Sequence, residues 1–386
     1  MSARARSRTV LTARKSSAAL PTASLRMSSD LSTVGAFSSI LVGVINKRAA
    51  PDAAAAKREN DEVVVKAIVY HRYGSPDVLQ LEDIEKPTVG NDDVLVRVRA
   101  ASVNPYDFHF MRGTPRFIRL ATGLRRPKAT HLGVDGAGEV AAVGGNVTEF
   151  RPGDQVFGAC RGAFAEYARA SQSMLTIKPT NVSFEQAATI PIAGLTALQA
   201  LRNKGHVQPE QNVLINGASG GVGTFAVQIA RAWGAHVTGV CSSRNMEMVR
   251  SIGAERVIDY TREDFTKSDR RYDLLLDCIG NHPLSAFRGA LTPKGTYVAI
   301  GGPSERSIDP LIGMLELLLS SPFVSQRLVL VLAKPKKEDL IVIKELVETG
   351  KLTPVIDRRY DLNDVPDAIR YLEAGHARGK VVITVA

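Results

Sequence analysis

The sequence predicts an α/β protein in two parts, a β-rich, barrel-like body and a doubly wound parallel sheet. Three observations lead there. Between residues 63 and 168, short alternating runs are separated by glycine or proline, the habit of a compact all-β unit. From residue 212 onward, strand-length apolar runs alternate with helical ones, which argues for parallel strands joined by crossover helices. Where the second pattern begins, residues 212–223 read N-V-L-I-N-G-A-S-G-G-V-G, a strand, a tight turn and a helix start.

In chain order, strands are predicted at 63–70, 93–100, 138–143, 154–158 and 164–168. Helical periodicity takes over at 184–201. The apolar run 213–215 is short enough for a buried parallel strand and stops at Asn216 and Gly217. The helix expected over 224–233 then puts Phe225, Val227, Ile229 and Ala230 on one face. Strand 236–240, helix 245–252, and strands 256–259, 274–277 and 296–300 continue the alternation. Toward the end, helix 336–348, strand 355–360, helix 365–373 and strand 381–385 are expected to return to the first body. The predicted division is leader and linker 1–61, β-rich part 62–185, doubly wound part 186–330 and return 331–386.

In the turn, Ala218, Gly220 and Gly223 occupy the three glycine positions of G-x-G-x-x-G, the first softened to Ala. Absent side chains let the backbone approach a pyrophosphate, whose charge then meets free amides and the helix dipole. Small residues also serve turns for geometry alone, and the surrounding strand and helix alternation favours the dinucleotide. The end of the second strand reads Cys241-Ser242-Ser243-Arg244, with no acid until Glu247. A carboxylate there would hold a ribose 2′-hydroxyl and repel a 2′-phosphate; Ser242 and Arg244 can instead bind the phosphate, so NADPH is expected. The plain alternative for Arg244 is a solvated cation at a helix start.

The 386 residues carry a net charge of +10, but residues 1–60 hold ten Lys and Arg against three acids, leaving +3 for the rest. A basic body for nucleic acid is therefore not indicated, and no aromatic-studded basic stripe appears. Residues 1–29 are rich in Arg, Ser and Ala, contain no acid and lack the apolar core of a secretory signal. They read as an organellar transit peptide, mitochondrial or plastid, or else as a basic tail. Residues 31–45 are apolar but too short and broken to span a bilayer, which leaves peripheral contact open. Cys160, Cys241 and Cys278 are scattered without C-x-x-C spacing, as in a reducing compartment. Residues 303–327, with an apolar block at 311–319, are open to three readings: a lid, an oligomer contact or a buried helix.

Several ordered blocks resemble the medium-chain dehydrogenase/reductase superfamily over residues 62–386. They are A-A-S-V-N-P-Y-D (100–107), G-V-D-G-A-G-E-V (133–140), F-R-P-G-D-Q-V-F-G (150–158), I-P-I-A-G-L-T-A-L-Q-A-L (190–201), N-G-A-S-G-G-V-G (216–223), S-I-G-A-E-R-V-I-D-Y (251–260) and G-H-A-R-G-K-V-V-I (375–383). The likeness is to the zinc-free, zeta-crystallin-like quinone oxidoreductase branch. It implies a GroES-like catalytic domain, a Rossmann NAD(P)-binding domain, a cleft between them and a homodimer. Where zinc-dependent relatives carry their first Cys this chain has Asn104, and for G-H-E it has Gly133-Val134-Asp135, so no metal site is expected.

Without a metal, the implied chemistry is hydride transfer to a quinone or an α,β-unsaturated carbonyl, with donors on the developing oxyanion. The candidate catalytic residues are Asn104 and Tyr106, with Asp107 orienting them, or with Asn104 and Asp107 holding the loop. His109 departs from the Tyr often found at its position. For the cofactor, the resemblance implies Thr196, Gly301 and Gly302 near the nicotinamide, and Ala218, Ser219, Gly220, Gly221, Val222 and Gly223 at the pyrophosphate. Ser242, Arg244 and Tyr260 fall at the 2′-phosphate, Ile279 near the adenosine, and Lys380 over the cofactor or simply at a strand start. Two other functions stay open, an enoyl-thioester-type reductase and a non-catalytic NADPH-binding assembly protein.

Overall fold

The computed structural model describes residues 64–300 and 324–386. The leader, the Gly301-Gly302 pair and most of 303–327 lie outside the described residues. Strand β1 (Val64–Val69) pairs antiparallel with β2 (Gln80–Glu85). The spine of the first body is β3 (Asp93–Val103), antiparallel to β4 (Asp135–Val143), which continues through β5 (Gln155–Ala159) to β7 (Leu175–Ile177). Its other edge is shared, its first half pairing with β6 (Tyr167–Ser171) and its second with a strand from the end of the chain.

Between β3 and β4 run helices α1 (Pro105–Arg112) and α2 (Ile118–Thr122). Helix α1 starts where Asn104 supplies the N-cap, Pro105 sits at the first helical position, and Asp107 accepts from Asn104 N. That is the pattern that satisfies orphan amides at a helix start. Instead of one helix over 184–201, the structure has α3 (Phe184–Ala188) and α4 (Pro191–Gln199), followed by a π-helical turn, Ala200–Gly205. Pro191 is the reason, since a proline has no N–H to continue a helix and is accommodated at the start of a new one.

The second sheet is parallel throughout. It contains β8 (Asn212–Asn216), β9 (His236–Cys241), β10 (Arg256–Asp259), β11 (Tyr272–Asp277), β12 (Leu291–Ile300) and β13 (Arg327–Val331), in the order β10-β9-β8-β11-β12-β13. This is the doubly wound order, whose direction reverses between β8 and β11 and leaves a crevice outside those strand ends. Helix α5 (Gly221–Ala232) connects β8 to β9, α6 (Met246–Ser251) connects β9 to β10, and α7 (Leu284–Gly289) connects β11 to β12. After α8 (Lys337–Glu348), strand β14 (Ile356–Asp361), helix α9 (Val365–Glu373) and β15 (Lys380–Thr384) go back to the first body. There β15 is antiparallel to β3 and parallel to β14. One apolar core runs through the join, with Ala100, Phe157 and Val382 packed in the same cluster as Leu195, Leu198, Ile215 and Phe225.

Candidate active site

The crevice is built first by the turn after β8. Gly217 has φ +84°, a conformation that side chains disfavour, and an added Cβ would come within 2.8 Å of Ile279 Cδ1. Gly223 is more confined: its Cβ would strike Gly217 O and lie 2.8 Å from Ala218 Cα, so helix and strand can approach only through a glycine. Gly220 differs, since its Cβ would meet only Gly217 O at 3.4 Å. It is also the N-cap of α5, with no side-chain cap. The first helical amides are therefore left without an internal acceptor beside open space, and that arrangement fits a phosphate. Ala218 is fully buried; its Cβ lies 3.0 Å from where a Cβ on Gly239 would stand, so the softened glycine position packs against β9.

Ser242 and Arg244 follow the end of β9, Tyr260 N donates to Cys241 O at 3.2 Å, and Tyr260 and Ile279 are exposed. Arg244 is exposed and donates to His376 O at 3.0 Å. Sequence reasoning did not single out Asn245. It is buried, and its Nδ2 donates to Ser219 Oγ at 3.0 Å and to Ser242 Oγ at 3.3 Å, while its Oδ1 has no partner. Because each serine accepts from the amide, each keeps its own proton for a group outside. An acid does stand close by, on the neighbouring strand. Asp259 takes hydrogen bonds from Ser243 Oγ and from Thr261 N and Oγ1, and the Ser243 bond is the main reason its carboxyl is held below the usual range.

The third component is a buried polar cluster that no local pattern announces. Lys380 Nζ donates to Asn104 Oδ1 at 2.5 Å and to Val103 O at 3.2 Å, and lies 3.5 Å from Asp135 Oδ2. Asp135 Oδ2 also accepts from Ser102 Oγ and Asn104 Nδ2, each at 3.0 Å, and Oδ1 from Ile192 N on α4. Next door, Gly379 N donates to Ser219 O at 2.8 Å, and a Cβ on Gly221 would stand 3.2 Å from Lys380 Cδ. Residues 379 and 380 therefore join the turn after β8 to the loop that opens α1.

Burial pushes the Asp135 carboxyl up and the Lys380 ammonium down, and their mutual attraction opposes both shifts. Asp107 is pushed up to about 7 by burial, against the two backbone amides, Asn104 N and Gly133 N, that it accepts. Burial raises the Cys160 thiol to about 12 and the Cys241 thiol to about 11, which keeps both protonated near neutral pH.

The expected catalytic residues are close in sequence, yet their hydrogen bonds point inward. Both Asn104 amide hydrogens are committed, to Ser102 O and to Asp135, and Asp107 holds two backbone amides. Tyr106 stacks on Phe110 with ring centroids 4.0 Å apart, and burial raises its hydroxyl well above the ordinary phenol range. Thr196 donates its hydroxyl hydrogen to Ile192 O at 2.6 Å, which leaves its oxygen as an acceptor. Among the described residues, no group of three His, Cys, Asp or Glu is arranged to hold a metal ion.

The profile described as alcohol dehydrogenase GroES-like domain matches residues 90–180, and the zinc-binding dehydrogenase profile matches 252–383. The chain is 34% identical over 336 residues to the chloroplastic quinone-oxidoreductase QR1 of Triphysaria versicolor, covering 83% of this chain and 98% of that protein. It is 34% identical over 365 residues to the mitochondrial NAD(P)H oxidoreductase RTN4IP1 of Mus musculus, covering 83% and 89%. The solved structure of the quinone oxidoreductase from Coxiella burnetii matches with a TM-score of 0.74 at 32% identity, over 84% of this chain and 100% of that one. A GroES-like body, a doubly wound nucleotide sheet and these likenesses together place the chain among the oxidoreductases that use a nicotinamide cofactor, and it belongs to the zinc-free quinone oxidoreductase branch of the medium-chain dehydrogenase/reductase superfamily.

Proposed function

We propose that the protein is a metal-independent, NADPH-dependent reductase of a quinone or an α,β-unsaturated carbonyl. One observation supports the reading: Lys380 Nζ lies against Asn104, which stands where zinc-dependent relatives carry their first Cys, and against Asp135, in the block that replaces their G-H-E. With a lysine side chain in that position, the site suits an acceptor polarised by its own conjugation. The dinucleotide supplies the hydride when bound. The chain's residues hold it: Ser219 to Gly223 at the pyrophosphate, Ser242, Arg244 and Tyr260 at the 2′-phosphate, Ile279 beside the adenosine, and Thr196 with Gly301 and Gly302 toward the nicotinamide.

Asn245 is a positioning residue in this reading, since it turns both serine protons toward the phosphates. Asn104, Asp107 and Lys380 fix the loop, and Tyr106 remains the donor to the developing oxyanion, its raised phenol staying protonated and therefore able to donate. The chloroplastic and mitochondrial relatives, with the acid-free leader, support an organellar location, and a homodimer belongs to the same reading. Steady-state oxidation of NADPH and NADH with a panel of quinones and alkenals tests it. Turnover with NADPH and at least one conjugated acceptor is expected. A flat trace with every acceptor, alongside saturable NADPH binding, would replace the enzyme with a binding protein.

A further inference from the structure

Between Asp107 and Asp135 the chain has no acidic residue and six Lys or Arg. Two of the six are engaged inside the fold. Arg112 pairs with Glu373, and Arg119 donates to Gly113 O and Arg112 O with its guanidinium 4.6 Å from the Tyr73 ring centroid. The other four, Arg116, Arg125, Arg126 and Lys128, are exposed. Leu120 and Leu124 stand among them, 74% and 68% exposed, the two most exposed large apolar side chains among the described residues. Water should drive such side chains inward unless something else covers them.

The presentation is held from beneath. Ile118 and Thr122 face the interior, and Tyr73 Oη donates to Gly123 O and shares a hydrogen bond with Thr122 Oγ1, both at 2.8 Å. Helix α2 and the turn after it thus form a fixed ledge with leucines outside, surrounded by cations that make no ion pair among the described residues. Apolar anchors ringed by Lys and Arg match an anionic lipid bilayer, whose headgroups attract the cations while its acyl boundary takes the leucines. An acidic polypeptide or a nucleic acid would satisfy the cations but give the leucines no apolar phase.

We infer that residues 116–128 form a docking surface for an anionic membrane leaflet. The ledge is joined through α1, eight residues and roughly 12 Å long, to Asn104 in the buried cluster. Docking would hold the crevice near a lipid-dissolved acceptor; only this purpose rests on the proposed function, and the docking itself does not.

The test is flotation of the full chain with vesicles of phosphatidylcholine alone and with added phosphatidylglycerol, at low and high salt. The leader is itself basic, so variants rather than the wild type decide. Leu120→Ser with Leu124→Ser, and separately Arg125→Glu with Arg126→Glu, should each weaken binding to the anionic vesicles at least tenfold. Thermal midpoint and NADPH binding should stay as in the wild type. Recovery equal on neutral and anionic vesicles, or undiminished in either pair, overturns the inference. Turnover of a water-soluble quinone, measured alongside without vesicles, reads the proposed function separately, so either can fail alone.

Discussion

Asn245 and Arg244 are neighbours with different tasks, and the difference can be measured. Arg244 meets a 2′-phosphate directly in the proposed function, so Arg244→Ala should raise the Kd for NADPH tenfold or more, about 1.4 kcal/mol, and leave NADH nearly unchanged. In the same proposed function Asn245 acts through Ser219 and Ser242, so Asn245→Leu should weaken both dinucleotides, NADPH more. In a Ser242→Ala background its effect on NADPH should shrink, because the two changes remove one shared interaction. Additive losses in titration calorimetry would leave Asn245 a packing residue.

Asp107 allows a prediction with a sign. Its value rises from the 3.8 ordinary for a solvated aspartate to about 7 in the fold, so the folded state keeps a proton that the unfolded chain releases. The stability from this group is complete below about pH 4 and is lost as pH rises toward 7, by up to ~1.4 kcal/mol per pH unit. The unfolding midpoint of Asp107→Asn relative to wild type should therefore improve as pH rises through that window. A constant difference would mean the carboxyl titrates normally.

At the scale of elements, the turn after β8 separates two uses of glycine. Gly223→Ala puts a Cβ against Gly217 O and should lower the thermal midpoint and abolish dinucleotide binding together. Gly220→Ala meets only one atom, at 3.4 Å, so the midpoint should hardly move while the Kd rises, because in the proposed function the methyl group enters the space of the pyrophosphate. Equal behaviour in scanning calorimetry would contradict the distinction. This turn was legible in the sequence because its geometry is local: strand, small residues and helix lie within twelve positions.

Helix α1 was equally local yet unread, although Asn104, Pro105 and Asp107 carry its starting signal. The helix expected over 184–201 shows the opposite failure, a correct periodicity that ran across Pro191. Strand 164–168 was displaced to Tyr167–Ser171, since Ala165 makes only an isolated bridge to Ala67. β2, β7 and β13 had no counterpart in the sequence reading. β7 is three residues long, and β13 adjoins the segment that resisted placement.

For the whole molecule, the polar cluster could not be read because its partners are far apart in sequence; Lys380 and Asn104 are separated by 276 positions. Only the return of β15 to β3 brings them together. Lys380→Met should destabilise by about 3–5 kcal/mol, because it leaves Asp135 buried without its cation. Asp135→Asn in the same background should recover part of that loss in urea unfolding. No recovery would mean that Lys380 acts by packing alone.

The placement of β15 also has a consequence for how the protein is made. Half of one edge of β3, the longest strand of the first sheet, is closed by five residues that begin 277 positions after the end of β3. Until they emerge, the nascent chain carries an open sheet margin able to pair with another strand, and Asp135 waits without its counter-charge. The first body therefore closes only once a strand from the far side of the second sheet has been synthesised.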